Sequence, residues 1–176
     1  MKNIVNSTQP TSSVKNTIPS NKNSNVFINF TTFPNWTHSI RVKNYTNQLK
    51  NEKECSKSFY KLVNKLFPFL QTEGTNLFTG LKHCHLIKDQ KRELAVGIIK
   101  EIHGIDLSTE VELWQLAYGE GTRLVSALVS GKDEDGTVVV YPLFIDHHHL
   151  IYPSKNHNQK DLSEKSCRFC PQKQYT

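Results

Sequence analysis

VELWQLAYGEGTRLVSALVSGKDEDGTVVVYPLFID, residues 111–146, decides the fold of this chain. Its first run predicts a strand from Val111 to Tyr118, followed by a turn through Gly119-Glu120-Gly121. TRLVSALVSG predicts the next strand, the charged GKDEDG a hairpin turn, and TVVVYPLFID the strand after it. Three successive strands joined by short polar turns make an antiparallel meander. Pro142 cannot donate a ladder hydrogen bond, so its strand carries a bulge there or lies at an edge. A lone meander cannot bury its apolar side, so helices must cover it.

The helices come from upstream. SKSFYKLVNKLFPFL (56–70) places Phe59, Leu62, Val63, Leu66 and Phe67 at helical spacing. Ser56 or Ser58 is placed to cap its start, and Pro68 to stop or kink it. DQKRELAVGIIKEIHG (89–104) is a second helix, with Leu94, Ile98, Ile99 and Ile102 on one face. Asp89 suits its cap, and Gly104 suits the position after its end. LKHCHL (81–86) reads as a short strand with His83 and His85 on one side and Cys84 on the other. NVFINFTTFPNW (25–36) reads as a strand or an extended segment that ends by Pro34. The expected class is α+β, with two or three helices on one face of a mainly antiparallel sheet of three to five strands.

A chain of 176 residues suits one domain, and 36% hydrophobic content leaves part of it outside a core. Residues 1–25 are Asn, Ser, Thr, Pro and Lys with few apolar side chains, the composition of a disordered arm. Residues 26–153 form the expected domain, and 154–176 a basic tail. The net charge of +6 belongs to the two ends. Residues 26–153 carry 14 basic and 14 acidic side chains, so totals imply no strongly basic groove there. The start lacks the apolar core of a secretory signal, and no apolar run approaches the ~18 residues of a membrane span. The expectation is a cytoplasmic protein without a membrane partner, its four cysteines reduced.

The end of the meander carries the chemistry. In FIDHHHLIYP (144–153), an extended backbone would put His147 and His149 on one face and His148 on the other. Imidazoles beside Asp146 suit general acid–base work near neutral pH, and Arg123 suits a phosphorane charge. The bland alternative is a strand end where Asp146 caps a turn or orients a histidine. CRFC (167–170) offers Cys167 and Cys170 to a structural zinc, with His157 as a further ligand. Its polar neighbours argue against buried thiols, and free thiols in a tail are the alternative. Gly121-Thr122-Arg123 could touch a phosphate, but a hairpin turn explains it as well. The aromatics Phe27, Phe30, Phe33, Trp36, Phe59, Tyr60, Phe67 and Phe69 suit stacking on single-stranded nucleic acid or packing in a core.

Helices followed by a meander with Trp114, Arg123 and Phe144 on successive strands resemble the RelE/ParE-like toxin superfamily of small bacterial toxins. The closing residues Asp146, His149, Tyr152 and Pro153 resemble an uncharacterised bacterial family that ends on D-x-x-H-x-x-Y-P. The resemblance spans roughly residues 77–153. The chain departs from the toxin pattern in its neutral middle and in having histidines where such toxins carry Lys or Arg. The toxin resemblance implies an endoribonuclease acting on RNA or the ribosome without metal, through Arg123, Asp146, His147, His149 and Tyr152, and held in check by an antitoxin. The second reading is a non-enzymatic module of a mobile element or phage that docks on another protein through the meander edge or a tail.

Overall fold

A computed structural model describes residues 26–81, 83–118, 121–130, 137–153, 162 and 165–176. The arm at 1–25, the Gly119-Glu120 step, the GKDEDG turn and His157 lie outside the described residues.

The meander forms as the pattern dictates. β1 (Val26–Ile28), β4 (His85–Leu86), β5 (Leu113–Leu116), β6 (Arg123–Ser130) and β7 (Val138–Asp146) make one sheet in the order β1-β7-β6-β5-β4. β5, β6 and β7 pair antiparallel, with Leu116 opposite Leu124 and Leu128 opposite Val140. β1 adds to β7 in parallel, Phe27 opposite Val139. β5 is shorter than the expected Val111–Tyr118. Strand β4 keeps only His85 and Leu86, because His83 has a left-handed backbone (φ 72°) that breaks the alternation. β1 ends at Ile28, before Pro34, where the Asn29 side chain accepts from the backbone N–H groups of Thr31 and Thr32.

Pro142 acts through a bulge. Val125 pairs with Phe144 and Ser126 with Pro142, which leaves Leu143 as the extra residue. Its consequence is a change of parity. Val138 and Val140 join one core cluster, Leu143 and Phe144 both join the other, and Ile145 returns to the first.

The sheet is covered on both faces, not on one, because alternate residues of the same strands feed two separate clusters. One face is covered by a helical run of α1 (Glu52–Lys61), a π-helical turn (Leu62–Leu66) and α2 (Phe67–Glu73). Leu62, Leu66 and Leu70 of this run pack on Trp114, Leu116 and Leu124. Pro68 neither stops nor breaks the run. The widened turn, closed by Phe67 N–H to Leu62 O, lets the chain pass through the missing N–H at Pro68. Asn51 caps α1 by accepting from Glu54 N–H at 3.0 Å, so the helix begins before Ser56 and Ser58.

The other face is covered by α3 (Asp89–His103), whose Ala95, Ile98, Ile99 and Ile102 meet Leu113, Val125 and Phe144. Each of its buried isoleucines contributes roughly 1.5–3 kcal/mol of burial. The helix starts without a side-chain cap from Lys88, and Asp89 is its first residue with φ of 51°. Gly104 ends it in the left-handed conformation (φ 68°), as expected. Beside α3 sits the two-stranded hairpin of β2 (Arg41–Val42) and β3 (Tyr45–Thr46), whose buried Tyr45 packs edge-on against Phe144. The C-terminal segment is folded onto this body. Leu49 and Phe169 exchange both backbone hydrogen bonds, and the short α4 (Pro171–Tyr175) follows.

Removing the α1 cap tests this account of the helix start. Asn51→Ala should cost about 1 kcal/mol, read as a lower urea midpoint with an unchanged slope.

Candidate functional site

β6 begins and β7 ends side by side, with Arg123 directly opposite Asp146. The parity change at Leu143 turns Asp146 inward on the α3 side, where it is wholly buried. Its carboxylate closes the following loop. Oδ1 accepts from Leu150 N–H and Oδ2 from Ile151 N–H, each at 2.9 Å. Burial raises the carboxyl's pKa, while these backbone donors and His148 pull it down.

This loop overturns the expected alternation of the histidines. The strand stops at Asp146, His147 and His148 form a turn, and His149 takes a left-handed backbone with φ of 58°. The side chains therefore splay. His147 Nδ1 lies 2.7 Å from Ser58 Oγ on α1, and Ser58 Oγ lies 2.8 Å from Thr122 Oγ1 at the mouth of β6. His148 Nε2 lies 2.7 Å from Gln48 O, after β3. Tyr152 sets its ring edge-on to His85, centroids 4.8 Å apart, and its phenol bonds to the backbone of Lys88. Arg123 is buried and Nη1 donates to Gly121 O at 2.7 Å, bracing its own loop.

Burial lowers the part-buried His147 to a pKa of about 3, with His148 adding to the effect. At neutral pH its imidazole is uncharged and lacks the second, imidazolium proton that a general acid gives up. Arg123, Asp146 and His147 are thus brought near one another, but each is held by a structural contact. The turn-capping role of Asp146 is the bland alternative seen in atomic detail.

Sequence reasoning missed the partners of His147. Lys57, Ser58 and Lys61 of α1, with Gly121, Thr122 and His147, line a pocket of about 150 Å³. Ser58 and His147 are 89 residues apart, so no local motif links them. The available signal was the helical spacing that sets Lys57, Ser58 and Lys61 on one side of α1.

The cysteines correct a further expectation. Cys167 and Cys170 are both buried, despite polar neighbours in sequence. Ser39 N–H donates to Cys170 Sγ at 3.3 Å, and His38 Nδ1 stands 4.0 Å from the same sulfur. Among the described residues, which do not include His157, no three His, Cys, Asp or Glu side chains converge as metal ligands. Among them, too, no helix is long and apolar enough to cross a membrane.

The family model described as "Uncharacterised protein UU032" matches residues 31–176. This chain belongs to that family. It is similar to the uncharacterised protein UU032 of Ureaplasma parvum serovar 3, 32% identical over 179 residues, covering 99% of this chain and 95% of the relative. Of the resemblances drawn from the sequence, the family match supports membership of an uncharacterised family and bears on neither the toxin superfamily nor the D-x-x-H-x-x-Y-P motif. No solved structure matches the chain.

The pKa of His147 makes a prediction about acid stability. Unfolded histidine titrates near 6.5, and folded His147 near 3. Between these values only the unfolded chain binds the proton, so this contribution is full above pH 6.5 and is lost as pH falls toward 3. By pH 4.5 the loss from this residue should reach at most ~2–3 kcal/mol, less where solvent screens the ring. His38, His85 and His103 are lowered by burial too, so the test is a difference between proteins. Urea midpoints at pH 7 and 4.5 should converge more for His147→Gln than for the native chain.

Proposed function

We propose that this chain is a cytoplasmic, non-enzymatic binding protein that docks on a partner protein through the open edge of its sheet. The observation that carries the reading is the apolar row at β1. Among the described residues, β1 pairs with β7 and with no strand on its outer side. Phe27 stands opposite Val139, and Val139 opposite Val129, so the three share one face. Phe27 is 59% exposed and Val129 51%. An exposed edge offers unmatched backbone groups, and an apolar row beside it offers side-chain selectivity. The occupant that fits is an extended segment of another protein, added as a strand next to β1. The balance of 14 basic and 14 acidic side chains over residues 26–153 favours such a partner over a nucleic-acid polymer.

The second reading, a toxin-like endoribonuclease acting without metal, draws support from the order of helices and meander and from Arg123 opposite Asp146 beside the histidines. The burial of Asp146 and the low pKa of His147 weigh against it.

One set of experiments separates the two. A photocrosslinker at Phe27 should trap a defined protein in cells that express the chain. That protein, purified, should bind saturably, and Phe27→Asp with Val129→Asp should weaken binding at least tenfold at an unchanged thermal midpoint. Equal affinity in that double variant would sink the docking reading. Induced expression in a bacterial host should leave growth and bulk RNA intact. Growth arrest relieved by Arg123→Ala with His149→Ala would replace binding with RNA cleavage.

A further inference from the structure

We propose that the pocket between α1 and the mouth of β6 binds the terminal phosphate of a small phosphomonoester. It stands apart from the β1 edge and draws on different residues.

The walls supply charge and hydroxyls together. Lys57 and Lys61 come from one side of α1, and the loop before β6 supplies Thr122. Glu54 also lines the pocket, and its Oε2 accepts from Lys50 N–H at 2.6 Å. Among the described lining residues, two ammonium groups stand against one carboxylate, a net positive charge with His147 neutral. Among the described residues neither lysine has an ion-pair partner. Gly121 lets Lys61 in. A Cβ at this position would lie 2.9 Å from Lys61 Nζ, and its backbone (φ 100°) also favours glycine. The ammonium therefore lies against bare backbone at the pocket wall.

The hydroxyls form a directed chain. His147 Nδ1, Ser58 Oγ and Thr122 Oγ1 are linked at 2.7 and 2.8 Å. If Nδ1 carries the proton, it donates to Ser58, Ser58 donates to Thr122, and Thr122 is left with a proton for the pocket. If Nδ1 is bare, the chain runs inward and no proton faces out. An anion in the pocket selects the first tautomer. A volume of about 150 Å³ is below that of an ordinary small-molecule site, so it takes one end group and not a whole ligand. A phosphate fits lysine point charges and hydroxyl donors. A chain-end phosphate fits better than the backbone of a polymer, which would need a basic track beyond the pocket.

NMR titration at constant ionic strength tests this with inorganic phosphate as the probe. The amide of Thr122 and the ring nitrogens of His147 should shift saturably, the ring moving toward the Nδ1–H tautomer. Lys57→Gln with Lys61→Gln should weaken binding at least tenfold at an unchanged thermal midpoint, since both side chains reach solvent. A single-stranded oligonucleotide with hydroxyls at both ends should leave the same resonances in place. Absence of a saturable shift with phosphate overturns the site. So does equal affinity in the double lysine variant. Tighter binding of the oligonucleotide at these resonances overturns the monoester assignment.

Discussion

The single extra residue that Leu143 inserts into β7 decides where the last residues of that strand point. Without it, the alternation begun at Val138 and Val140 would continue, and Asp146 would face the α1–α2 side among leucines. With it, Asp146 faces the α3 side, directly across from Arg123, and its carboxylate reaches the backbone of residues 150 and 151. A buried carboxylate is tolerated only where donors replace water. Here two N–H groups of the chain's own loop do so, and the loop is shaped by that need.

The histidine run then follows from the loop. A continued strand would have lined the rings up on two sides, but the turn sends His147 and His148 to different neighbours. His147 reaches α1, and His148 reaches the segment after the β2–β3 hairpin. Two adjacent residues thus tie the meander to elements from the first third of the chain. This is a stapling arrangement, and it explains why acid–base chemistry at these rings fits the geometry poorly. An imidazole held neutral by burial works as a hydrogen-bonding spacer more readily than as a proton donor.

The meander was legible because β-branched runs and a charged turn speak for themselves over short distances. Helix α3 was legible for the same reason, with Gly104 marking its end. The second covered face was not legible, since amphipathic spacing in α1 and α3 says that each helix packs but not on which side of a sheet. Pro68 argued for a stop or a kink; the run does not stop, and one wide turn just before the proline absorbs it. His147 misled because an alternation rule holds only while the strand lasts, and the carboxylate that ends the strand precedes it by one position. The buried thiols at Cys167 and Cys170 were hidden by polar neighbours, because the segment holding them is tied to Leu49 and Ser39, far away in sequence.

The contact between Leu49 and Phe169 also sets an order of events. Ser39 and Cys170 are 131 residues apart, and the hairpin segment they anchor waits for that length of chain. During synthesis, β5, β6 and β7 can pair as soon as they leave the ribosome, because their turns are short. The last latch closes only when residues 167–171 emerge, so the hairpin segment from Ser39 to Leu49 stays without this cover until well after β5, β6 and β7 have been made. A chain cut short by a few residues at its C-terminus would have a complete sheet and an unlatched flank.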